Sequence, residues 1–320
     1  MQFGAFVPQG WRLDLPDIPV DHQWGTMMTI AAVAEETGFD SIWVYDHFHT
    51  FPDVSQETTW EAWTLMTGLA QATERVRLGQ MCTCNSYRPP SYLAKVTACI
   101  DVLSGGRLEV GIGAGWYEHE YRGYGYEFPK PSVRIGMLHE AVQILRSMWT
   151  EDTTQFDGRY YQLDGAICRP HPKQDPHPPL WIAGGGEQLT LRVVAGYGDY
   201  ANFFGDPETF ARKKEALRGH CSDVGRDPDE IRLTANVDCL IGETEAHAAE
   251  KLASWDKPGS QSKEAWQAAP QVLYGTAEQV AEQVEAIRDQ GIEYLICYFV
   301  DASWGDSMRR FAEDVAPAFR

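Results

Sequence analysis

The chain has no long apolar run. Nothing in its 320 residues approaches the roughly 18 to 20 consecutive apolar positions of a membrane-spanning helix, so a membrane protein is not expected. Positive charge is scarce: 27 Lys and Arg stand against 46 Asp and Glu, a net charge of −19. Nucleic-acid phosphates call for a basic stripe, so a nucleic-acid partner is not expected either. A small anionic molecule stays compatible, because backbone N–H groups at helix starts bind anions without net basic charge. The seven cysteines are scattered and odd in number, which suits a reducing compartment better than a disulfide framework. Cys82-Thr83-Cys84 has no second Cys or His pair at zinc-ligand spacing, and no metal is expected. The opening Met1-Gln2-Phe3-Gly4-Ala5-Phe6-Val7-Pro8 lacks the basic region, apolar run and cleavage site of a secretory signal. It reads as a first strand, and a soluble, cytoplasmic protein is expected.

What is present is a rhythm. With 43% apolar and 12% aromatic residues the chain can fill a large core. β-rich runs such as FDSIWVY (39–45), Val76–Cys84, Leu108–Ile112, Leu180–Ala183, Tyr200–Phe204, Ile231–Val237 and Ile292–Val300 alternate with helical stripes. Ile135, Leu138, Val142, Leu145 and Trp149 make one such stripe at spacings of three and four. Thr58-x-x-Glu61 and Thr276-x-x-Gln279 have the form of capping boxes. Eight strands, each followed by a helix, predict one (β/α)8 TIM barrel spanning residues 1–320. Two insertions interrupt it. After strand 4, residues 150–179 hold a hairpin around Asp157-Gly158 and a Pro-rich connector; after strand 7, residues 256–270 read as a polar, proline-broken loop. A doubly wound open sheet is the competing architecture, weakened because no G-x-G-x-x-G follows the first strand.

In a barrel, chemistry sits on the loops after the strands. Those positions hold Pro8-Gln9, Asp46-His47, Met81 to Asn85, Gly113-Ala114-Gly115-Trp116, Gly184-Gly185-Gly186 and Asn202 to Phe204. His47 is the candidate proton donor or acceptor, against the plainer reading of a structural histidine bonded by its neighbour. The two glycine clusters could cradle a phosphate, or be no more than tight turns. No lysine falls at a predicted strand end, which disfavours Schiff-base chemistry, and no Asp/Glu/His set recurs there as a metal would require. Aromatic and small residues suit a flat conjugated ring whose own chemistry does the work.

The ordered series FDSIWVYDHF, VRLGQMCTCNSYRPPSYLAK, RLEVGIGAGWYEHEY and PPLWIAGGG resembles the luciferase-like flavin and deazaflavin oxidoreductases, over most of the chain. The style of GAGWYEHEYRGYG is similar to the branch using the deazaflavin coenzyme F420. The resemblance implies a bulge with a cis non-proline bond after the third strand, at Met81 and Cys82, supporting the cofactor ring. It also implies that Gly113, Ala114 and Gly115, with Gly184 and Gly185, hold the cofactor phosphate, and that Asp46 and His47 lie near the ring; Asn85, Trp116 and Gly186, at the same strand ends, are further cofactor-binding candidates. Relatives that oxidise glucose 6-phosphate carry an acid where Trp116 stands, which disfavours that substrate. The implied activity is hydride transfer between F420 and a small organic substrate. The alternatives are an FMN-dependent monooxygenase fed by a flavin reductase and a non-catalytic subunit. Pairing of two copies through outer helices is a further expectation of the resemblance.

Overall fold

Segments such as Ser41–Val44 and Tyr294–Phe299 carry apolar side chains on both faces and are buried from end to end, as parallel strands covered by helices require. The structure is a computed structural model that describes residues 1–255, 262–301, 303 and 305–320. Eight parallel strands, Gln2–Phe6, Ser41–Val44, Arg77–Gln80, Leu108–Gly113, Leu180–Ala183, Tyr200–Asn202, Arg232–Ile241 and Tyr294–Phe299, pair in that order, and the eighth returns to the first. This is a closed (β/α)8 barrel. After Gln80 the third strand loses register, the Met81–Cys82 peptide is cis, and pairing resumes at Thr83–Cys84 beside Ile112 and Gly113.

The sheet separates two cores. Helices press stripes such as Leu138, Val142, Leu145 and Trp149 against its outside, while aromatic rings fill its inside. Trp181 stacks on Tyr200 at 4.0 Å and meets Trp43 edge-on at 4.7 Å. Glycines make room for Trp43: a Cβ on Gly79 would stand 2.2 Å from its six-membered ring, and one on Gly4 would stand 2.5 Å from its indole nitrogen. Trp43 is fully buried, and protein interiors are close-packed. Gly79→Ala is therefore expected to destabilise the barrel by about 1–3 kcal/mol. An equilibrium urea melt with an unchanged midpoint would refute this packing.

Several local readings shift. The hairpin forms as Thr154–Asp157 against Gln162–Ala166. The Thr276 capping box is present in full. Thr58 does not cap the second helix: Glu61 itself precedes Ala62–Ala72 and accepts the amides of Trp63 and Thr64. A carboxylate at the N-cap satisfies the orphan donors and complements the helix dipole, so the reach back from Glu61 to Thr58 is not needed. Of the segment read as a loop, 256–261 lies outside the described residues, whereas Lys263–Gln267 is a short helix. Behind it Val272–Gly275 adds a ninth parallel strand to the extended end of Arg232–Ile241. The chain closes on the helix Asp306–Arg310, which loosens into π and 3-10 turns to Phe319.

Candidate active site

The second strand delivers His47, and the route there is fixed by side chains that imitate backbone. Buried Gln9 exchanges its amide with Tyr45, accepting the Tyr45 N–H at 2.8 Å and donating to the Tyr45 carbonyl at 2.8 Å, and donates also to the Trp60 carbonyl. The next residue, Asp46, is buried and engaged at both oxygens: Arg88 donates to them at 2.7 and 2.9 Å, and the Cys84 amide donates at 2.8 Å. Asp46 thus ties the second strand to the turn that follows the cis peptide.

His47 follows, its Nδ1 2.8 Å from Oε2 of Glu120, a carboxylate with no solvent exposure. Glu120 comes from the short helix Glu118–Gly123 and also accepts from the Tyr87 hydroxyl at 2.7 Å and from the Phe48 and His49 amides at 2.6 and 2.8 Å. Burial pushes its pKa upward, but the hydrogen bonds and charge of His47, with the amide and hydroxyl donors, outweigh that and leave it below the ordinary value of 4.5. An ionised acceptor assigns the hydrogen to Nδ1 and leaves Nε2 free to take a proton. The imidazole is held flat against Trp11 at 4.2 Å, with interplanar angle 4°. Because Glu120 favours its charged form in the fold, its contribution to stability is complete above about 4.5 and is lost as pH falls through the lowered folded value. The stability gap between the protein and its Glu120→Gln variant is expected to narrow below that pH; urea melts giving a constant gap from pH 7 to 4 would rule this out.

A cavity of about 420 Å³ opens beside this pair. Asp46, His47, Met81, Cys82, Gly113, Ala114, Gly115, Trp116 and Gly184 line it together. Asn85 does not: its amide donates to the Tyr161 hydroxyl at 3.2 Å, toward the hairpin. Gly185 and Gly186 also lie off the wall, Gly185 facing Lys213 and Gly186 facing Thr190. Two of the glycines answer to protein neighbours, since a Cβ would meet the Cys82 sulfur at 2.6 Å from Gly113 and the Tyr121 hydroxyl at 2.0 Å from Gly115.

Two lining residues at the glycine end escaped the sequence reading. Arg134, buried, lies over the Phe128 ring at 4.1 Å and donates to the Gly115 carbonyl at 3.2 Å. Thr190 opens the helix Thr190–Tyr197, whose preceding residue Leu189 offers no side-chain cap. A guanidinium, a hydroxyl and an uncapped helix start form a donor set for an anion. Cys82 and Cys84 supply no thiolate: burial drives both pKa values up, that of Cys84 to about 12. Among the described residues no three His, Cys, Asp or Glu side chains converge as metal ligands. A larger cleft of about 730 Å³ lies beyond the first-strand loop, where Lys251 is taken up by Asp301 and Asp306 at 2.7 and 2.8 Å. The smaller cavity is where the strand-end residues converge, with the His47 imidazole, the Arg134 guanidinium and the Thr190 hydroxyl all on its wall.

Residues 1–294 match the family model described as luciferase-like monooxygenase. The chain belongs to that family, and it is an oxidoreductase. It is similar to an F420-dependent glucose-6-phosphate dehydrogenase of Amycolatopsis mediterranei (strain U-32), 28% identical over 324 residues and covering 92% of this chain and 94% of the relative. It is also similar to an FMNH(2)-dependent dimethylsulfone monooxygenase of Pseudomonas putida, 25% identical, covering 91% of this chain and 86% of the relative. Among solved structures, an F420-dependent secondary alcohol dehydrogenase in complex with an F420-acetone adduct superposes with a TM-score of 0.82 at 25% identity, covering 100% of this chain and 99% of that one. No described helix is long and apolar enough to cross a membrane.

Proposed function

We propose that this oxidoreductase uses coenzyme F420 and moves a hydride between the deazaflavin and a small organic substrate. The observation that carries the reading is the His47–Glu120 pair, with Nδ1 committed and Nε2 free beside a cavity. The donor set fits the cofactor's phosphate: Arg134 and Thr190, with the backbone of Gly113, Ala114, Gly115 and Gly184, would hold it. Met81 and Cys82 would back the ring, and Trp116 would border it. A bound deazaflavin supplies hydride acceptance or donation at its C5 carbon. His47 takes the hydroxyl proton when an alcohol is oxidised, or returns it when a carbonyl is reduced. Glu120 stays ionised and steadies the imidazolium that forms, and the stacked Trp11 ring covers one face of the imidazole against water.

FMN is the competing cofactor, favoured by the similarity to the FMNH(2)-dependent relative. Titrating the cofactor-free protein separately with F420 and FMN discriminates. Saturable F420 binding is expected; micromolar FMN binding with none for F420 would overturn the reading.

A further inference from the structure

The walls around His47 differ in kind from the glycine end. Trp11 stacks on the imidazole, while Trp116 and Tyr117 meet it edge-on, each at 5.9 Å. Phe51, off the cavity wall, packs against these rings, 5.5 Å from Trp11 and perpendicular to Trp116 at 5.4 Å and to Tyr117 at 5.9 Å. Trp116 is 54% exposed at this mouth. Burying an indole is among the largest apolar gains a side chain offers, so folding alone does not account for leaving it at a cavity rim.

Charge divides the cavity in the same way. Arg134 is its one lining cation among the described residues; it sits at the glycine end, bonded to the carbonyls of Gly115 and Pro129. Near His47 the lining and supporting carboxylates are Asp46, neutralised by Arg88, and Glu120, which stays anionic. A phosphate brought to the imidazole would meet that carboxylate with no Lys or Arg among the described lining residues beside it other than Arg134. A flat neutral molecule would instead lie between aromatic faces and edges that lose little entropy on binding it.

From this we infer that the substrate is an uncharged, flat, mainly apolar alcohol or carbonyl compound held by Trp11, Trp116 and Tyr117, rings that Phe51 packs against, and that sugar phosphates are excluded. The inference rests on the oxidoreductase reading only for the alcohol or carbonyl group; the aromatic clamp stands on the ring geometry. With a deazaflavin bound, the carbinol hydrogen and its two electrons would pass to that cofactor, while His47 Nε2 would take the hydroxyl proton as the C–O bond becomes a carbonyl.

The test uses the full chain and three probes. Calorimetric titration is expected to show saturable binding of acetophenone and 1-phenylethanol and none of glucose 6-phosphate. Trp116→Ala should weaken both aromatic probes about tenfold, the size of one lost aromatic pair, and Trp116→Phe should restore most of that. Thermal unfolding of both variants should match the parent, since Trp116 is half exposed. Failure of the aromatic probes to bind, tighter binding of glucose 6-phosphate, or indifference to Trp116→Ala would each overturn the inference. F420 titration runs beside it: a chain that binds acetophenone through Trp116 but never binds F420 loses the cofactor assignment and keeps the aromatic clamp.

Discussion

His47→Ala is expected to lower kcat/KM for the proposed F420-linked alcohol oxidation by about 10²–10⁴, the range a positioned general acid–base contributes. F420 affinity should stay within a few-fold, because the groups proposed to hold its phosphate are Arg134 and Thr190, not His47. The loss should fall on kcat more than on KM, since the proton is shared in the transition state and hardly at all in the ground state. His47→Gln makes the comparison sharper. Its amide can still meet Glu120 but offers no basic nitrogen, so it should be nearly as slow as alanine. Steady-state rates above a tenth of the parent in either variant would remove His47 from the chemistry and leave it a structural residue.

The second large effect concerns stability. Arg88→Ala should cost about 3–5 kcal/mol, because it strips Asp46 of both guanidinium bonds and leaves a buried carboxylate with the Cys84 amide as its remaining donor. Arg88 also bonds Glu61 at 2.9 Å, so the cap of the second helix loosens in the same variant. Asp46→Asn should be milder, since an amide needs no counter-charge and its oxygen can still accept one guanidinium bond. Urea unfolding of the three proteins separates the cases. An Arg88→Ala loss below about 1 kcal/mol would mean that the pair contributes no more than a surface salt bridge.

The barrel was readable because its strands and helices carry their own periodicity. FDSIWVY is apolar on both faces, and the stripe from Ile135 to Trp149 repeats every three or four residues; both signals are local. The strand Val272–Gly275 was hidden because four residues between a proline-broken stretch and a capping box carry too little pattern. At the site, strand-end position picked out His47 and the glycines, and family resemblance added the cis Met81–Cys82 peptide. Glu120 was missed for a physical reason. Within EHEY on a six-residue helix it looks like any solvated acid, and its importance comes from contacts 71 to 73 residues back along the chain. Arg134 was hidden similarly, as a charge at the start of an amphipathic helix. Asn85 shows the converse, a residue at the right strand end whose side chain turns the other way.

One carboxylate holds two distant pieces of chain. Glu120 receives the amides of Phe48 and His49 together with the imidazole, so the stretch after the second strand and the small helix behind Trp116 cannot loosen independently. Their amide protons should trade with deuterium as one cooperative unit, in native-state exchange, and Glu120→Gln should split that unit in two. A guest pressing on the rim would then be felt at the imidazole without any movement of the barrel.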